Sequence, residues 1–130
     1  MNELCKVLMI EDEKDIIYSL AQVFENFRNI KFIGAECALQ GIELARVERP
    51  GVILLDLNMP HVSGEEALVR IKQLLPESKF IVMTGWGDEE TKQRIERMGV
   101  DAYFSKPMNL ERLVAKIMSF FRISPGVENG

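Results

Sequence analysis

Val52-Ile53-Leu54-Leu55-Asp56-Leu57-Asn58-Met59-Pro60 is the stretch that decides the fold of this chain. Its first four residues are apolar without interruption, and they stop at an acid. An uninterrupted apolar run of strand length suits a strand covered on both faces, as in a parallel sheet; a half-exposed strand would alternate apolar and polar. The same texture recurs at Val7–Ile10, at Ile30–Ile33 with Lys31 interrupting, at Phe80–Met83 and, more weakly, at Ala102–Phe104. Between the runs the apolar period changes to that of a helix. Ile16, Leu20, Val23, Phe24 and Phe27 form one stripe; Ala67, Leu68, Ile71, Leu74 and Leu75 a second; Leu110, Leu113, Val114, Ile117 and Phe121 a third. Phe120 falls off this last stripe, where it marks a dimer or partner contact or is simply one exposed ring.

Two further helices carry weaker signals. One spans about Leu39 to Arg46, weakened by Gly41 and ended by Arg49-Pro50-Gly51. The other runs roughly from Asp88 to Met98, with Asp88, Glu89 and Glu90 in its first turn and Lys92, Arg94 and Arg97 later, which suits the helix dipole at both ends. Its apolar stripe is little more than Ile95 and Met98, so it is a candidate for movement. Five β-then-α units in 130 residues predict one α/β domain. The expected architecture is a flavodoxin-like (βα)5 three-layer sandwich, its five-stranded parallel sheet in the order 2-1-3-4-5. The domain is expected over residues 1–122, with 123–130 a tail or the start of a linker.

Composition narrows the function. The chain is 47% apolar and 28% charged, which argues against disorder and leaves room for a core. Sixteen Lys and Arg against twenty Asp and Glu give a net charge of −4, the wrong sign for holding nucleic acid or an anionic membrane. No apolar run approaches the ~20 residues that cross a bilayer. The opening MNELCKVLMIEDEK does not read as a signal peptide, so a cytoplasmic location is expected. Cys5 and Cys37 are expected to be small buried thiols in a reducing compartment. The scattered methionines read as core fillers, and His61 as an exposed loop residue.

In an open sheet of this order, ligands bind beyond the carboxyl ends of the strands, where the strand order reverses. The residues there are Glu11-Asp12-Glu13, Asp56, Thr84-Gly85 and Ser105-Lys106-Pro107. Neighbouring strands lie about 4.8 Å apart, so Glu11, Asp12 and Asp56 crowd into one pocket. A hard divalent cation relieves their repulsion; Mg²⁺ fits, because it takes one or two carboxylates with waters and phosphate oxygens. No His or Cys stands nearby to favour zinc or copper. Lys106 adds a fixed positive charge and Thr84 a hydroxyl, which together outline a site for a transferred phosphoryl group.

These residues resemble the receiver domains of bacterial response regulators, the phosphoacceptor half of two-component signalling, over about Lys6 to Phe121. The resemblance rests on Glu11-Asp12, on Asp56-Leu57-Asn58-Met59-Pro60 followed by Ser63-Gly64, and on Thr84-Gly85, Tyr103 and Lys106-Pro107. It implies that Asp56 is the phosphoacceptor, a carboxylate that attacks without a general base. It makes Asp12 the direct metal ligand, Glu11 its outer companion, and the backbone carbonyl of Asn58 a further ligand. Many relatives carry Asp where this chain has Glu11. Thr84 and Lys106 would hold the phosphoryl oxygens, Gly85 would leave the phosphorus open, Pro107 would follow a cis bond, and Tyr103 would be the switch aromatic that follows Thr84. Asn58 and Trp86 flank the path of an attacking water. The implied partners are a sensor histidine kinase as donor and a downstream output domain or protein reached through the surface of helix 4, strand 5 and helix 5. A homodimer formed on phosphorylation is a further expectation.

Two other readings of the same fold are weaker. A phosphohydrolase of the haloacid-dehalogenase type needs a second Asp two residues after the nucleophile, where Asn58 stands. A flavodoxin-like cofactor binder needs a hydroxyl- and glycine-rich loop after the first strand, where Glu11-Asp12-Glu13 would repel phosphate. A phosphorylation-independent interaction module would carry a damaged acid site, and this one is complete.

Overall fold

The computed structural model describes residues 5–59, 63–85 and 89–121. Five strands alternate with five helices: β1 Cys5–Ile10, α1 Lys14–Phe24, β2 Ile30–Ala35, α2 Ala38–Glu48, β3 Val52–Asp56, α3 Gly64–Leu74, β4 Lys79–Thr84, α4 Glu89–Arg97, β5 Ala102–Ser105 and α5 Leu110–Phe120. The strands form one parallel sheet in the order β2-β1-β3-β4-β5. This is the flavodoxin-like arrangement expected from the sequence.

The pleat divides the core in two. Val7, Met9, Val52, Leu54, Ile81 and Met83 face α1 and α5, where they meet Leu20, Phe24, Leu113 and Ile117. Leu8, Ile10, Ile53, Leu55, Phe80 and Val82 face the other way, onto Ala38 and Ala45 of α2, Leu68 and Ile71 of α3, and Ile95 of α4. Both side-chain parities of β1, β3 and β4 are therefore buried, which is why these strands read as continuous apolar runs.

Several local features differ from the sequence reading. α2 is a full helix through Glu48, since Gly41 is a packing requirement: a Cβ there would lie 2.4 Å from Ile10 Cδ1. Its C-terminus is closed by Arg49 in the left-handed region (φ 50°), whose N–H donates to the Ala45 carbonyl. Cys37 is exposed just before α2 and Cys5 is half-buried; neither is in a disulfide, and the expectation of two buried thiols is corrected. Phe120 is half-buried against the α1/α5 core, with Lys116 Nζ 5.5 Å from its ring centre, so it is not a fully exposed ring. α4 has Ile95 as its one buried residue. Trp86, His61 and the segment 123–130 lie outside the described residues.

A candidate phosphoacceptor and metal site

The register builds the site. Ile10 pairs with Leu55, so Glu11 emerges from β1 beside Asp56, the last residue of β3. Glu11 shares its parity with Val7 and Met9, Asp56 with Val52 and Leu54, and Lys106 with Ala102 and Phe104, so all three belong to the α1/α5 side of the sheet. Glu11 is fully buried and Asp56 is 1% exposed, whereas Asp12 is exposed. One carboxylate oxygen from each of Glu11, Asp12 and Asp56 lies within 4.8 Å of the others.

Lys106 sits in the middle of these acids. Its Nζ is 2.9 Å from Glu11 Oε1, 3.1 Å from Glu13 Oε2 and 3.2 Å from Asp56 Oδ2. Burial alone would lower its pKa, but hydrogen bonds to Glu11 and Glu13 and the charge of Asp56 outweigh it and hold the ammonium above its ordinary value. Glu11 goes the other way from a normal ion-paired acid. Its pKa is pushed up to about 7, first by burial and then by the Asp56 charge, despite hydrogen bonds from the Glu13 N–H and Lys106. One ammonium thus faces three acids, with a fourth, Asp12, beside two of them, and the excess negative charge is strained.

That excess is the test of fit for a cation. Glu11 Oε1 is buried, and although it is close to Lys106 it makes no well-aligned hydrogen bond. All donors are oxygens on adjacent strand ends, a set suited to a hard divalent ion and poor for zinc or copper. Glu11, Asp12 and Asp56 therefore fit Mg²⁺.

Thr84 and Tyr103 lie on the opposite side of the sheet from the acids. Thr84 is 1% exposed and follows the parity of Val82; Tyr103 packs against the α3/α4 core, with Lys92 Nζ 5.8 Å from its ring centre. Lys106 N donates to the Thr84 carbonyl, which ties the ends of β4 and β5 together. The Lys106–Pro107 peptide is cis. Asn58 N donates to Asp56 Oδ1 at 2.9 Å.

Two contacts were not legible in the sequence. Glu13 holds Lys106 from the solvent side. The Asn58 amide oxygen, which the sequence reading passed over in favour of its backbone carbonyl, accepts from both the Thr84 hydroxyl (2.5 Å) and the Gly85 N–H (3.0 Å). α3 closes the site from below: Ser63 caps its first turn by accepting from Glu66 N, and Gly64 lies so close to β3 that a Cβ would be 2.5 Å from Leu57 Cα and 2.8 Å from the Asp56 carbonyl oxygen.

A parallel sheet of this order with acids, threonine and lysine at adjacent strand ends defines a phosphoacceptor signalling domain. The family model described as the response regulator receiver domain matches residues 7–118, and the chain belongs to that family. It is 31% identical over 113 residues to sporulation initiation phosphotransferase F of Bacillus subtilis, covering 87% of this chain and 89% of that protein. It is 30% identical over 121 residues to the cell cycle response regulator CtrA of Brucella ovis, covering 93% of this chain but 52% of the relative, so it spans about half of that regulator. Among solved structures, a response regulator from Burkholderia pseudomallei, with a phosphorylated aspartic acid, calcium ion and citrate, superposes with a TM-score of 0.77 at 27% identity, covering 86% of this chain and 65% of that one.

Proposed function

We propose that Asp56 accepts a phosphoryl group from the phosphohistidine of a sensor histidine kinase, or from a small acyl phosphate, with Mg²⁺ held by Glu11, Asp12, Asp56 and the Asn58 backbone carbonyl. The observation that carries this reading is convergence: a buried carboxylate at a strand end lies 3.2 Å from an ammonium and within 4.8 Å of two further acids. In the transfer, an Asp56 oxygen attacks phosphorus and an O–P bond forms as the donor's N–P bond breaks. The electron pair leaves on the imidazole nitrogen. A carboxylate nucleophile needs no base. Lys106 is placed to follow the phosphoryl oxygens and offset their charge, while Glu13 and Glu11 restrain it. Bound Mg²⁺ supplies the remaining positive charge to the carboxylates and phosphoryl oxygens. Loss of the phosphoryl group to water is assisted by the same pocket. Gly85 leaves the phosphorus open, and Asn58 flanks the water's path.

The response runs through the other side of the sheet. Thr84 moves toward the new phosphoryl group, Tyr103 follows it inward, and the surface of α4, β5 and α5 shifts between two populations that an output domain, a partner protein or a second copy of the chain distinguishes. Light anchoring of α4 by Ile95 supports this assignment. A cytoplasmic setting fits a partner of a kinase's catalytic core, and no helix among the described residues is long and apolar enough to cross a membrane. The test is intact-mass measurement after treatment with acetyl phosphate and Mg²⁺. One added phosphoryl mass in the native chain and none in Asp56→Asn supports the reading; equal labelling of both overturns it.

A further inference from the structure

We infer that the Asn58 side chain is a positioning residue that acts as an internal stand-in for a phosphoryl oxygen, holding the Thr84 hydroxyl and the Gly85 N–H until a phosphoryl group on Asp56 displaces it. The inference rests on the reading of Asp56 as phosphoacceptor and adds a competition within that site.

Asn58 Oδ1 accepts from Thr84 Oγ1 at 2.5 Å and from Gly85 N at 3.0 Å. The backbone N–H of Gly85 is only a donor, so it fixes which end of the amide faces β4: the oxygen. One oxygen thus gathers a hydroxyl and a backbone N–H from consecutive residues at the end of β4, beside the strand that carries Asp56. Two converging donors of this kind suit an anionic oxygen better than a neutral amide, because a hydrogen bond to an ionised acceptor is roughly twice as strong. The backbone of the same residue is tied to the acceptor, since the Asn58 main-chain N–H donates to Asp56 Oδ1. Chemistry at Asp56 therefore acts on the residue that holds the donors. Asn58 is exposed, so its amide can turn out to solvent without opening the core. The arrangement sets a threshold: the phosphoryl group gains the Thr84 and Gly85 donors only by replacing contacts they already make.

Beryllium fluoride, a phosphoryl mimic, tests the competition by titration calorimetry in the presence of Mg²⁺. Asn58→Ala is expected to bind it about fivefold more tightly than the native chain, the factor that corresponds to a net neutral hydrogen bond of about 1 kcal/mol. In a Thr84→Ala background the same substitution is expected to give about twofold or less, because only the Gly85 donor remains to be released. The Gly85 amide proton gives a second readout: in unliganded Asn58→Ala its resonance moves upfield on losing its acceptor, and on binding the mimic the two proteins converge. Unchanged or weaker binding by Asn58→Ala, or an equal gain with and without the Thr84 hydroxyl, overturns the inference. A native chain that fails to bind the mimic, or an Asp56→Asn variant that binds it equally well, overturns the phosphoacceptor reading instead.

Discussion

Lys106 reaches Glu11 across the width of two intervening strands. The two residues leave β5 and β1, separated in the sheet by β3 and β4, yet Nζ and Oε1 are 2.9 Å apart. This contact, with those to Asp56 and Glu13, makes Lys106 the one cation that crosses the top of the sheet among the described residues.

Lys106→Met therefore leaves buried Glu11 and Asp56 without their nearest positive charge. The expected result is a loss of roughly 2–4 kcal/mol at pH 8, as for a buried ion pair broken from one side. The loss should be smaller at pH 5, where Glu11 takes up a proton. Urea unfolding at the two pH values checks this, and an equal loss at both counts against it.

Glu11 also gives metal-free protein a pH slope. Its pKa rises from 4.5 in the unfolded chain to about 7 in the fold. Between these values the folded state holds a proton that the unfolded state has lost, so stability is fully present below pH 4.5 and falls as pH rises toward 7. The whole effect is on the order of 1–3 kcal/mol. Saturating Mg²⁺ should recover most of it by binding the charged form, and Glu11→Gln should flatten the slope. Thermal melts at a series of pH values, with and without Mg²⁺, provide the measurement.

Gly64 and Gly85 should differ in how the same added methyl affects stability. At Gly64 it meets backbone at 2.5 and 2.8 Å, and overpacking of this kind costs about 1–3 kcal/mol. Because the struck atoms belong to Leu57 and Asp56, slower phosphorylation should accompany the lost stability. At Gly85 a Cβ meets nothing within 4 Å, so Gly85→Ala should leave the melting temperature nearly unchanged. Slower labelling from a phosphohistidine donor than from acetyl phosphate would show that the methyl stands in the larger donor's approach.

α4 is tied to α3 by a two-pronged ion pair, Arg94 Nε and Nη2 to the Glu65 carboxylate at 2.9 and 2.8 Å. The hydrogen bond from Arg94 is the main reason the Glu65 pKa lies below its ordinary value. Glu65→Gln should cost less than about 1 kcal/mol of global stability, since the pair is partly exposed. Hydrogen exchange should speed up selectively in α4. Its native protection should decline as pH falls below the usual carboxylate range, and unchanged exchange in the variant would disprove the tie.

Most of the fold was legible because burial on both faces writes a parallel strand as an uninterrupted apolar run, and because the sheet order then dictates which strand ends meet. The gathering of Glu11, Asp12, Asp56 and Lys106 follows from that order alone. Local surprises came from contacts that periodicity does not encode. Gly41 looks like a helix breaker in one dimension and is a socket for Ile10 in three. Asn58 reads as a backbone metal ligand beside the water's path, and only the paths of two loops bring its amide oxygen to Thr84 and Gly85. Phe120 lies outside the main stripe of α5 yet still packs against its core at the edge.

The alternation of side chains along the strands sends the acids and Lys106 to one layer of helices, and Thr84 and Tyr103 to the other. Groups at adjacent strand ends thus face different helix layers, separated by the thickness of one sheet. On the proposed reading, substitutions in α4 would retune what the molecule communicates while the reagent side keeps the same atoms in place, so its audience could change without its chemistry being relearned.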